Sequence, residues 1–178
     1  MLTNKLLGAA MLESLRSEIK TYFQYRAKPC KQKLVVWDGF DELDKSSAVD
    51  FYNEKSWEDV LHHLQDPTVG NFYLEEWAVL GPQALAYYLH AYLEFLIETL
   101  SSQEGPNEGY VSELFHWLYQ MIYMHKANPL NPQQTACIVK IAEHVIVEFQ
   151  DYQRFPEIGE QISGNIGMFL QELVKYRM

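Results

Sequence analysis

Cysteine is scarce in this chain: Cys30 and Cys137 are the only two among 178 residues. Two thiols so far apart build no dense disulfide framework, and neither lies in a Cys-x-x-Cys or zinc-type spacing. Isolated thiols of this kind suit a reducing cytosol, and a cytoplasmic protein is expected. Positive charge is also short, with 14 Lys and Arg against 24 Asp and Glu and a formal net charge of −10. A field of that sign repels phosphate backbones, so nucleic acid is not an expected partner. No apolar run approaches the roughly 18–20 residues that a membrane-spanning helix needs, so no membrane role is expected either. The run from Leu6 to Leu12 behind Lys5 has the barest outline of a secretory leader. It flows straight into an amphipathic segment, so it reads better as the apolar start of the first helix.

Catalytic signatures are missing as well. The chain has no Gly-x-Ser-x-Gly elbow, no phosphate-cradling Gly-x-x-x-x-Gly-Lys loop and no dinucleotide fingerprint. These absences do not exclude an enzyme, but they leave no catalytic residue and no cofactor to assign.

What the chain does have is apolar surface. Hydrophobic residues make up 48 % and aromatics 14 %, more than a disordered acidic chain carries. Its length suits one domain, residues 1–178, with a substantial core. Leu12, Leu15, Ile19, Tyr22 and Phe23 predict an amphipathic helix over residues 11–27, stopped by Pro29. Leu34 to Trp37 reads as a brief strand or a packed connector. A short helix is expected from Ser46 to Glu54. Ser56 then caps another, with Glu58 and Asp59 in the first turn where the helix dipole favours acids.

Gly81-Pro82 is a strong start signal for the next helix, which runs to about Leu100 and is apolar almost all round. Its one polar line is His90, Glu94 and Glu98. After a polar loop at 101–109, a further helix is expected over 110–126, with Glu113, His116 and Gln120 as its polar line. Asn131, Pro132 and Gln134 form a capping signal for the helix carrying Ile138, Ile141, Ala142, Val145 and Phe149. Pro156 opens the last helix, with Ile158, Ile162, Ile166, Phe169, Leu173 and Tyr176 at helical spacing. The expected fold is all-α: a single-domain irregular bundle of five or six helices, with the helix from Pro82 buried at its centre.

Three groups of residues are candidates for a site. Glu113-x-x-His116 places two metal ligands on one helix face, and His90 with Glu94 could complete the set from the neighbouring helix. The plainer reading makes both lines the wet stripes of largely buried helices. Asp50, Glu54, Glu58, Asp59, Glu75 and Glu76 flank a run of aromatic residues and could form the rim of a partner-binding surface. Trp57 and Trp77 more naturally seal the core beneath that rim. Gly159, Ser163 and Gly167 lie one helical turn apart and could let another backbone come close. That line packs either within the monomer or in a homodimer through the last helix.

The run from Glu75 to Leu93, with Leu80-Gly81-Pro82-Gln83-Ala84 leading to Tyr87-Tyr88-Leu89-His90-Ala91-Tyr92-Leu93, resembles the signature of a bacterial family of small helical proteins. In that family a phrase similar to L-S-P-E-A-F-x-Y-Y-L-P-A-Y-L recurs. Trp57 upstream, and the leucine-then-glutamine helix start from Leu130 to Gln134, are similar too. Gly81 stands where serine is expected and His90 where proline is expected, and the second change lets a straight helix pass. The resemblance covers about residues 40–150 and implies a bacterial, cytosolic, single-domain helical protein. It carries no activity and no functional residue.

Two functional expectations follow. The first is a non-catalytic protein-binding module whose acidic surface docks a basic protein partner, as a toxin-neutralising or regulatory protein would. The second is a metal-dependent hydrolase or oxidase built on Glu113, His116, His90 and Glu94.

Overall fold

The computed structural model describes residues 2–23, 28–29, 34, 42–66, 79–102, 106–150 and 156–176. Along these the chain folds into α1 (Leu2–Phe23), α2 (Glu42–Tyr52), α3 (Trp57–Leu64), α4 (Pro82–Ser101), α5 (Glu108–His125), α6 (Pro132–Gln150) and α7 (Pro156–Lys175). The class is all-α, and the described residues contain no β-strand. The expectation of five or six helices is corrected to seven among the described residues. The two short helices expected before and after Ser56 are separate elements, α2 and α3. Glu54 between them sits at φ 67°, a left-handed value that no continuous right-handed helix contains.

Local chemistry sets most of the boundaries. Ser56 and Asp59 form a reciprocal capping box: Asp59 N–H donates to Ser56 Oγ at 3.2 Å, and Ser56 N–H donates to Asp59 Oδ2 at 2.7 Å. Gly81 is the N-cap of α4, with Pro82 at its first position. Asn107 caps α5 by accepting from Tyr110 N–H. At the start of α6, Gln134 N–H donates to Asn131 Oδ1 at 2.9 Å and Asn131 N–H donates back to Gln134 Oε1 at 3.1 Å. Gln134 does more than cap, because its Nε2 donates to Tyr22 O at 3.0 Å and ties α6 to the end of α1.

Two boundaries differ from expectation. The first helix begins at Leu2 rather than residue 11, since Leu, Lys and Ala between those positions are good helix formers. It ends at Phe23, and residues 24–27 lie outside the described set. Of the proposed strand, Leu34 is in a turn and its carbonyl accepts from Gly81 N–H at 2.7 Å. Residues 35–37 lie outside the described set.

Contacts fix how the helices run against one another. Trp57 meets His90 and Gln65 meets Glu98, so α3 and α4 are parallel. Ser112 meets Asn165 and Phe115 meets Phe169, so α5 and α7 are parallel too. Tyr22 meets Gln134 and Glu18 meets Lys140, so α1 and α6 are antiparallel. Buried apolar residues from all seven helices join one cluster. Each large side chain taken fully out of water contributes roughly 1.5–3 kcal/mol before entropy is counted.

Every residue of α4 from Ala84 to Glu94 is buried. Its tyrosines remain satisfied there because their hydroxyls reach backbone and each other. Tyr88 OH donates to Tyr52 O and to Lys55 O, each at 3.0 Å, and Tyr110 OH donates to Tyr92 O at 2.8 Å. The hydroxyls of Tyr52 and Tyr92 also hydrogen-bond one another. Burial drives the Tyr88 and Tyr110 hydroxyls well above the usual phenol range, so both stay protonated donors. No helix among the described residues is long and apolar enough to cross a membrane.

Candidate functional site

The polar line of α4 does not face water. His90 has no exposed surface and Glu94 is 5 % exposed. Two helices distant in sequence cover them. From α3, the indole of Trp57 lies nearly parallel to the His90 imidazole, ring centroids 3.8 Å apart and planes inclined by 23°. From α1, Arg16 Nε approaches Glu94 Oε2 to 3.4 Å, while its Nη1 donates to Oε1 of the exposed Glu13 at 2.8 Å. His90 Nε2 lies 3.6 Å from Glu94 Oε1. Among the described residues, neither ring nitrogen of His90 nor Glu94 Oε1 has a hydrogen-bond partner.

The expectation that both polar lines are wet stripes is thus corrected for His90 and Glu94. A helix buried on every side offers no solvent face to its polar residues. The third member, Glu98, is half-buried and accepts two hydrogen bonds from Gln65 Nε2 at 2.8 and 2.9 Å. This arrangement holds a buried carboxylate against a guanidinium and closes a ring stack between α3 and α4. With His90 sealed from solvent, the cluster presents no imidazole to a substrate.

The other half of the proposed metal set lies elsewhere. Glu113 is exposed on α5, and His116 is half-buried against the edge of the Trp117 ring. Among the described residues, no three His, Cys, Asp or Glu side chains gather in a way that could hold a metal ion. Glu113 and His116 are therefore not brought together with His90 and Glu94 into such a set.

Four of the six acidic rim residues occupy one continuous piece of the chain. Asp50 lies on α2, Glu54 in the turn, and Glu58 and Asp59 in the first turn of α3; all four are exposed. None of them takes part in an ion pair among the described residues. Asp59 is held below the ordinary carboxylate range, first by the Ser56 backbone N–H and then by the Ser56 hydroxyl. Lys28 adds a weaker pull in the same direction. Leu43 is 73 % exposed and shares the outer face of α2 with Ser46 and Asp50, three and seven residues on. Glu75, Glu76 and Trp77 lie outside the described residues. Trp57 is half-buried on His90, so it acts as packing beneath the rim.

The three small residues of α7 do not form one packed line. Gly159 is buried, whereas Ser163 and Gly167 are half-buried. A Cβ placed on Gly167 would meet nothing within 4 Å, so among the described residues no neighbouring backbone approaches it closely.

Sequence reasoning missed Arg16 and Leu43. Arg16 directly follows the core residue Leu15, and that adjacency was the available signal that its guanidinium could reach inward. Leu43 carried no signal beyond being a leucine in an acidic stretch. No protein-family model matches the chain, and no curated protein and no solved structure matches it.

Proposed function

We propose that this protein is a non-catalytic binding module whose α2–α3 corner docks a basic segment of a protein partner. One observation carries the reading. Asp50, Glu54, Glu58 and Asp59 are exposed along one unbroken stretch, and no ion pair among the described residues engages them. Carboxylates in that state attract cations over roughly a Debye length, speeding encounter with a basic surface more than adding affinity. Leu43, two turns before Asp50 on the same face of α2, offers an apolar contact at the edge of the rim. A toxin-neutralising or regulatory role fits such a surface.

The setting belongs to the same proposal. Cys137 is a free buried thiol whose burial pushes it up to about 12, in keeping with a reducing, cytosol-like compartment. The signature-like run through α4 makes a bacterial origin the companion reading, with α4 as the middle rod of a one-domain bundle.

The test is affinity capture at low salt with wild type and with Asp50→Asn/Glu54→Gln/Glu58→Gln, leaving the cap residue Asp59 intact. A basic partner should bind wild type, be released as salt rises, and bind the triple variant at least about tenfold more weakly. Neutralising Glu143, an exposed acid on α6, should change nothing. Capture that ignores salt, or that survives the triple variant, ends the reading.

A further inference from the structure

We propose that α7 is the seam of an antiparallel homodimer, in which a second copy of the chain lays its own α7 across a twofold axis midway between Gly164 and Met168. Six residues, Glu157, Gln161, Gly164, Met168, Gln171 and Lys175, are all exposed on one side of this helix. Ile162, Ile166, Phe169 and Leu173 face the core. The exposed six recur at alternating steps of four and three, the spacing that keeps one face turned toward a partner helix.

Inverted about its midpoint, the stripe complements itself. Glu157 meets the partner's Lys175, Gln161 meets the partner's Gln171, and Gly164 meets the partner's Met168. Each pairing occurs twice by symmetry, as an isologous interface requires. Opposite charges therefore close both ends, and glutamine amides, which both donate and accept, face one another inside them. At the middle a protrusion meets a recess: Met168 is 40 % exposed, and a Cβ on Gly164 would meet nothing within 4 Å. Lys175 bridges its own Glu172 at 2.6 Å, yet its side chain is 61 % exposed and its ammonium has further N–H groups to donate.

The glycines supply an independent argument. Glycine weakens a helix interior relative to alanine, and a close backbone approach is the usual structural compensation. Gly164 and Gly167 have open space at the Cβ position, so among the described residues no such compensation is provided at either. A second α7 seated over the stripe provides it at Gly164. This seam is rotated from the line Gly159, Ser163 and Gly167 expected from sequence, since Gly159 is turned into the core.

Sedimentation equilibrium of the full chain, from micromolar to millimolar concentration at physiological salt, tests the proposal. Wild type should show a reversible monomer–dimer equilibrium. Met168→Glu, which buries two like charges at the axis, should raise the dimer dissociation constant about tenfold or more. Glu157→Lys, which would face the partner's Lys175 with a like charge, should also weaken the dimer several-fold. Circular dichroism should show all variants equally helical, because each change lies on the exposed face. A wild type that stays monomeric to millimolar concentration overturns the proposal. So does a dimer indifferent to Met168→Glu or to Glu157→Lys.

Discussion

Replacing Arg16 by methionine is expected to lower the stability of the chain by about 2 kcal/mol. The reason lies at Glu94, whose side chain is 6 % exposed with the guanidinium 3.4 Å from one carboxylate oxygen. Taking one partner from a fully buried ion pair costs on the order of 3–5 kcal/mol, because the remaining charge stays away from water. Two features reduce that figure here. The Arg16 side chain is 24 % exposed, so water already reaches part of the pair, and His90 stays 3.6 Å from the other oxygen. Methionine keeps most of the apolar stem, which confines the loss to charge. In urea, with a slope of about 2 kcal/mol per molar, the midpoint should fall by about 1 M without a change in slope. The thermal midpoint should fall by about 4–8 °C. A second variant separates charge from packing: Arg16→Met/Glu94→Leu should recover at least half of the loss, since no lone charge remains inside. A single variant costing less than about 0.5 kcal/mol would place the pair among surface bridges. A double variant no more stable than the single would refute the electrostatic cause.

Other expectations concern single groups. Ser56→Ala removes the side-chain cap of α3 and should cost about 1 kcal/mol in chemical unfolding; no measurable loss would mean that the Trp57 stack alone holds the helix start. Burial holds His63 below its usual 6.5, with Lys55 adding to the effect. The folded chain therefore takes up this proton less readily than the unfolded one, and the contribution of His63 is complete above about pH 6.5 and lost as pH falls below it. Thermal melts should show His63→Leu with a shallower acid-side decline than wild type, and parallel declines would contradict the burial argument. With its thiol pushed up to about 12, Cys137 on a Cys30→Ser background should react with a thiol reagent only as fast as the chain unfolds; native-state labelling at the rate of a free thiol would show that it is reachable.

The parts of the fold that were legible in sequence are those settled within a few residues. Ser56 with Asp59, Gly81 with Pro82, and Asn131 with Gln134 announce their helices because a cap is a contact three or four positions long. The core stripe of α6, from Ile138 to Phe149, was legible because one face is wet and the other dry, and all five expected residues are buried. On α4 the same logic reverses. Where apolar residues surround a helix, the polar ones mark no direction, and an outer stripe is the wrong reading of His90 and Glu94. Their burial depends on Trp57 and Arg16, which arrive from α3 and α1 and leave no periodic trace in α4. The start of the first helix at Leu2 is hidden for the opposite reason: its opening residues have helix propensity, and an apolar run from Leu6, without a two-sided pattern. Of the candidate site, the rim acids could be read as exposed from charge alone, but whether counter-charges reach them is a tertiary fact.

The claim on which the functional account rests is that the α2–α3 corner receives cations. A nitrogen–proton correlation NMR titration of the full chain with a synthetic amphipathic peptide of alternating lysine and leucine addresses it directly. Amide shifts should be confined to residues 43–66, should fade as salt is added, and should vanish in Asp50→Asn/Glu54→Gln/Glu58→Gln. Shifts that are absent from this stretch, or that are strongest on another helix and persist in the triple variant, would contradict it.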